Sequence, residues 1–98
     1  MNIVFIAHFR NKYGTRSSKV LRNKKQYPCI LYPVNGMSVP IYLKENEIFK
    51  LKDIKNIYSE HITIILNTNK YLSQIKEVQR HAFKSNILHI DFFIKKQL

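Results

Sequence analysis

Apolar and polar positions change period several times along the chain. Ile3-Val4-Phe5-Ile6-Ala7 opens a β-branched run that ends at Phe9-Arg10 and predicts a first strand over 3–10. Residues 11–19 turn polar and basic, which predicts a loop. Ser17 or Ser18 is placed to cap a short helix over 20–25, and Pro28 stops it. Cys29-Ile30-Leu31-Tyr32 reads as a short strand ended by a turn at Pro33-Val34-Asn35-Gly36, and Pro40-Ile41-Tyr42-Leu43 as the next strand.

Ile48, Leu51 and Ile54 then recur at three-residue spacing and predict a helix over 45–55. Glu45 and Glu47 in its first turn, and Lys52 and Lys55 in its last, match the helix dipole. Residues 58–66 are β-branched and strand-like, and Asn67-Thr68-Asn69 predicts a tight turn. The following stretch is ambiguous. Tyr71, Ile75 and Val78 stand at helical spacing, while the alternation of Tyr71, Ser73 and Ile75 suits the returning arm of a hairpin. Near the end, Leu88, Ile90, Phe92 and Ile94 alternate with Ile87, His89, Asp91 and Phe93. This predicts a strand with one face in a core and the other presenting His89 and Asp91 side by side.

Composition narrows the class. A chain of 98 residues supports one modest core, and its 45 % hydrophobic content excludes a disordered tail. Cys29 is alone, so there is no intrachain disulfide scaffold, and it reads as a small core residue. No apolar run approaches the roughly 20 residues of a membrane span. The apolar start is short and no charged region precedes it, so it reads as a strand rather than a signal peptide, and a cytoplasmic or organelle-matrix protein is expected. Seventeen Lys and Arg against six Asp and Glu give a net charge of +11. A small domain carrying that charge repels itself, which points to a polyanionic partner, nucleic acid first.

The densest basic cluster is Arg10, Lys12, Arg16, Lys19, Arg22, Lys24 and Lys25. A charge run is often only a solvated face. Here Tyr13, Gly14, Ser17 and Ser18 interleave with the cations, and small residues let backbone N–H groups approach phosphate while Arg grips it bidentately. His89 and Asp91, two apart on a strand, leave the same face. Alone they read as a surface ion pair, and no third residue at ligand spacing makes them a metal site. Were that face to meet RNA, a carboxylate there would gain only by accepting a hydrogen bond from a guanine amino group or a ribose hydroxyl, which would make Asp91 a specificity element. Gln79 can read a base edge in a shallow minor groove. Tyr32, at a strand end, is either half-buried with its hydroxyl in water or in contact with RNA.

Val78-Gln79-Arg80-His81, then Lys84, then Leu88-His89-Ile90-Asp91-Phe92 resembles a signature of one family. It is the bacterial large-subunit ribosomal protein that binds 5S rRNA, number twenty-five of that subunit, related to the general stress protein called CTC. Gly14, Ser18, Lys19, Leu21, Arg22 and the strand Pro28-Cys29-Ile30-Leu31-Tyr32 resemble the family in order and spacing, as does Tyr58-Ser59-Glu60. Val20 stands where the family usually has a second Arg, Pro33 where it has Gly, and Ala82 where it has Pro.

The resemblance implies a mostly β, α+β fold, a six-stranded β-barrel with two or so short helices, in a single domain over 1–98 without the second domain of longer members. It implies that residues 70–79 are a strand. It implies RNA contacts from Arg10, Lys12, Arg16, Ser18, Lys19, Arg22, Tyr32, Lys76, Gln79, His89 and Asp91. The implied partner is 5S rRNA within the large ribosomal subunit, at an internal loop with non-Watson–Crick pairs and magnesium on the RNA side. Neighbouring ribosomal proteins are further possible partners. No cofactor, membrane or small-molecule substrate is expected, and the expected location is the cytoplasmic ribosome. Two rival readings are an RNA-cleaving enzyme using His, Asp and Lys as general acids and bases, and an anticodon-binding module of tRNA-synthetase type, which is similar in barrel.

Overall fold

The computed structural model describes residues 3–10, 24–82 and 86–98. Its strands are β1 (Ile3–Phe9), β2 (Gln26–Val34), β3 (Met37–Lys44), β4 (Ile62–Leu66), β5 (Asn69–Arg80) and β6 (Ile87–Gln97). Between β3 and β4 lies the short helix α1 (Glu45–Phe49), which runs straight into a 3-10 turn, Lys50–Asp53. The strands close into a barrel in the order β1-β3-β2-β6-β5-β4. The fold is thus mostly β with α, the barrel that the resemblance implies. Two of the six seams are parallel, β1 with β4 and β2 with β6, and the rest are antiparallel.

The core follows from alternation. Phe5 and Ala7 of β1, Cys29 and Leu31 of β2, Ile41 and Leu43 of β3, and Ile62, Ile64 and Leu66 of β4 all point inward. Phe5 and Phe92 meet edge-to-face in the interior, ring centroids 6.3 Å apart. Ile48 and Leu51 join this core from α1 and the 3-10 turn. Ser73 takes an inward position on β5 because its Oγ donates to the Ile62 carbonyl at 2.8 Å.

The ambiguous stretch is a strand. Asn69–Ser73 pair with Ile62–Leu66, and the rest of β5 pairs with β6. A register shift between Ile75 and Glu77 leaves Lys76 as an extra, exposed residue. Beyond it Val78 faces the core again, opposite Ile90. The helical spacing of Tyr71, Ile75 and Val78 is therefore two strand segments joined by a bulge. A similar irregularity corrects the prediction for β6. The pairing jumps from Gln79–His89 to Arg80–Ile87, so Ile87 is buried although it was expected on the face of His89 and Asp91.

Other boundaries shift for local reasons. The helix over 45–55 is α-helical only to Phe49, then 3-10 to Asp53. Side chains three apart eclipse in a 3-10 turn, which suits Ile48, Leu51 and Ile54. The strand expected over 58–66 starts at Ile62, because the Tyr58 amide donates to Asn56 Oδ1 and the Ser59 amide to the Asn56 carbonyl, forming a turn. β2 extends beyond 29–32 in both directions. The Asn35-Gly36 turn is a two-residue hairpin with φ of 52° and 79°, which Asn and Gly tolerate. The expected loop over 11–19 lies outside the described residues. So does most of the helix over 20–25, of which Lys24 and Lys25 form a turn.

One seam is finished by side chains. β3 pairs with β1 only at Ala7, His8 and Phe9, and the Arg10 amide continues the ladder to the Pro40 carbonyl. Toward its start, β1 has no strand on this side among the described residues. There the Ile6 amide donates to Glu47 Oε2 at 3.3 Å, and Lys50 Nζ donates to the Val4 carbonyl at 2.9 Å. Lys50 Nζ also lies 2.8 Å from Glu47 Oε2, so the two side chains hold each other in place.

Candidate nucleic-acid interface

The outer surface of β2, β6 and β5 is built from three rows set by strand register. Tyr32, Phe93 and Gln74 lie abreast in the first, and Ile30, Asp91 and Glu77 in the second. His89 and Gln79 make the third. The alternation that sends Ile90, Phe92 and Ile94 inward sends His89, Asp91 and Phe93 outward.

Tyr32, His89, Asp91 and Gln79, far apart in sequence, are thereby brought onto one face. Lys76 stands exposed beside them at the β5 bulge. His89 Nδ1 lies 3.1 Å from Asp91 Oδ1, and both side chains are partly accessible. Tyr32 is 44 % exposed and its ring meets that of Phe93 at 6.4 Å, tilted by 51°. Lys95 Nζ sits 5.1 Å from the Phe93 ring centroid.

The basic cluster is placed only in part. Lys12, Arg16, Ser18, Lys19 and Arg22 lie outside the described residues. Arg10 is 8 % exposed at the end of β1, where it is a buried cation rather than a surface one. Lys24 and Lys25 are exposed, and Lys25 Nζ lies 3.6 Å from Glu45 Oε2, a solvated pair of little energetic weight. Arg80 occupies the exposed end of β5, opposite Ile87. Cys29 is a core residue, as its sequence context suggests. Burial pushes its thiol well above the ordinary range, against the lesser pull of a backbone hydrogen bond at Ile90 and the charge of Arg10, so it stays protonated.

Two neighbours on this face escape sequence reasoning. Glu77 pairs directly with Asp91 across β5 and β6, which only the bulge-shifted register reveals. Phe93 shares the parity of Asp91, but its contact with Tyr32 depends on a parallel pairing of strands sixty residues apart.

The rows offer hydrogen-bond donors and acceptors with aromatic rings at one end, and two carboxylates near the middle. Such a surface is poorly suited to gripping phosphate by charge. It is suited to shape and edge recognition, because a carboxylate accepts hydrogen bonds from base amino groups and ribose hydroxyls.

Comparison with known proteins adds independent findings. The family described as the Ribosomal L25p family matches residues 6–92. The chain is similar to the large ribosomal subunit protein bL25 of Buchnera aphidicola subsp. Schizaphis graminum (strain Sg), 36 % identical over 90 residues, which are 92 % of this chain and 94 % of that relative. The bL25 protein of Mannheimia succiniciproducens is 35 % identical over 92 residues, 94 % of this chain and 97 % of the relative. That of Klebsiella pneumoniae subsp. pneumoniae is 33 % identical over 86 residues, 88 % and 92 % of the two chains.

Proposed function

The chain belongs to the ribosomal L25p family, and from that premise we propose that it binds 5S rRNA through the outer face of β2, β6 and β5. As a member it is a structural, non-enzymatic component of the large ribosomal subunit, located in the bacterial cytoplasm. The observation that supports the RNA face is the register that sets Tyr32 and Asp91 of neighbouring strands beside His89 and Gln79.

Binding is divided between two layers, and residues 1–98 act as one domain. Lys12, Arg16, Lys19 and Arg22 neutralise phosphates and supply salt-dependent affinity, with Ser18 among them as a small hydrogen-bonding residue. Lys76 adds a cation at the bulge. Asp91 accepts from a base amino group or ribose hydroxyl, His89 donates to a ribose or backbone oxygen, and Gln79 reads a base edge in the wide minor groove. Tyr32 touches the RNA with its ring or hydroxyl. Arg10, largely buried at the end of β1, borders these cations in sequence and completes the set that contacts RNA.

The test is titration of the full chain with 5S rRNA and with an unrelated RNA duplex across a salt series. If about five phosphates are neutralised, raising salt from about 50 to 200 mM weakens binding on the order of a hundred-fold. 5S rRNA binds more tightly than the duplex at every salt concentration. Equal affinity for both RNAs, or a flat salt dependence, overturns the proposal.

A further inference from the structure

We infer that Tyr32 and Phe93, with Lys95 against the Phe93 ring, form a stacking platform for one nucleobase that is unstacked from its helix. The inference rests on the RNA-binding reading above and extends it to a contact through the face of a base.

Tyr32 and Phe93 are both exposed, by 44 % and 37 %, on the outside of the barrel. Phe5 and Phe92 also pair, but inside the core, and His8 stacks on Tyr42 with both half-buried. Among the described residues Tyr32 and Phe93 are thus the ring pair that both members present to the surface. Neither ring adds to the core, whose share of β2 and β6 comes from Cys29, Leu31, Ile90 and Phe92.

The site is also set up electrostatically. A third irregularity in the β5–β6 pairing, between Leu72 and Ser73, leaves Lys95 without a partner position on β5. Its Nζ sits over the Phe93 ring at 5.1 Å, where the ring's negative face attracts it. That cation also offsets the negative charge that an approaching nucleotide brings. The row of Tyr32, Phe93 and Gln74 carries no carboxylate, unlike the row of Asp91 and Glu77 beside it.

Spacing links the platform to the edge-reading groups. Asp91 and Phe93 leave one face of β6 two residues apart, about 7 Å along the strand. One RNA strand can therefore present a base edge to Asp91 and the face of a neighbouring base to Phe93. Aromatic side chains on sheet surfaces take up unpaired bases in this way, largely independent of base identity.

The experiment measures 5S rRNA binding of the full-length wild type, Phe93→Leu, Phe93→Tyr and Lys95→Ala over a salt series, with thermal melts of each. Phe93→Leu keeps an apolar side chain but removes the π-face. It is expected to bind about 5- to 100-fold more weakly, the range for loss of one stacked base. Its salt slope stays unchanged, because stacking releases no counterion. Phe93→Tyr binds within about two-fold of wild type, since it keeps the face that stacks. Lys95→Ala weakens binding and lowers the salt slope by up to about one.

Wild-type binding with an unaffected Phe93→Leu overturns the platform and leaves the RNA-binding reading standing. Equal losses in the Leu and Tyr variants overturn it as well. A wild type that prefers 5S rRNA no more than an unrelated duplex overturns the underlying reading instead. Ultraviolet irradiation of the wild-type complex with 5S rRNA, followed by mass spectrometry, tests the platform without any substitution. Nucleotide adducts at Phe93 or Tyr32 are expected, and adducts confined to other segments of the chain overturn the assignment.

Discussion

The barrel has two parallel seams of similar construction and opposite outward character. Between β1 and β4 the inward pairs are Ile3 with Ile62, Phe5 with Ile64 and Ala7 with Leu66, all buried. Between β2 and β6 they are Cys29 with Ile90 and Leu31 with Phe92, equally buried. Outward, the first seam shows Val4 beside Thr63 and Ile6 beside Ile65, a bland apolar wall. The second shows Ile30 beside Asp91 and Tyr32 beside Phe93. Closing the barrel makes the same demands of both seams on the inside and none on the outside, so the proposed recognition is free to sit on one wall alone.

The largest test asks whether both seams depend on one core. Phe92→Ala removes a fully packed ring from the second seam and is expected to cost about 3–5 kcal/mol in urea unfolding. Phe5→Ala in the first seam costs a similar amount. Because the rings touch, the double variant loses less than the sum. Strict additivity would mean the seams are independently stable.

Glu47→Ala acts on β1 at the edge that faces away from β4, distant from the second seam. It leaves the Ile6 amide without its acceptor and is expected to cost about 1–3 kcal/mol of stability, measured by denaturation, with 5S rRNA affinity unchanged for the folded protein.

Asp91→Asn acts on the second seam and reverses that profile. It is expected to lose about 1–3 kcal/mol of 5S rRNA binding, far less on an unrelated duplex, and little stability. Removing a negative charge from a surface that merely faced RNA would tighten binding, so tighter 5S binding by this variant removes Asp91 from the recognition set. The smallest effect belongs to Ile6→Thr. Ile6 is 50 % exposed on the bland wall, so both stability, within about 0.5 kcal/mol, and RNA affinity stay near wild type. A clear loss of RNA binding there would erase the distinction between the walls.

Local chemistry made part of this legible in the sequence. The Asn35-Gly36 hairpin, the outward pairing of His89 with Asp91 and the core role of Cys29 follow from turn preference, strand period and residue type. The bulges were not legible. One extra residue at Lys76 turned two strand segments into an apparent helical repeat, so the alternation of Tyr71, Ser73 and Ile75 left helix and strand open, and the resemblance of the motif around Gln79 and His89 decided for a strand. Non-local pairing was equally hidden, because nothing near Phe93 announces Tyr32, and nothing near Ile6 announces Glu47, forty-one positions away. The basic cluster was legible as composition, and within it the structure adds that Arg10 is buried while Lys24 and Lys25 are exposed.

The contacts of Glu47 and Lys50 with β1 also govern how separate copies meet. A strand whose main-chain N–H and C=O groups point outward unpaired is a template for a strand from another molecule, and through it for aggregation. The Ile6 amide and the Val4 carbonyl stand at such an edge, and both are already bonded by side chains from α1 and the 3-10 turn. A second chain would have to displace a buried carboxylate to add a strand there. This edge is therefore closed to strand exchange in a newly made copy not yet assembled into the large ribosomal subunit.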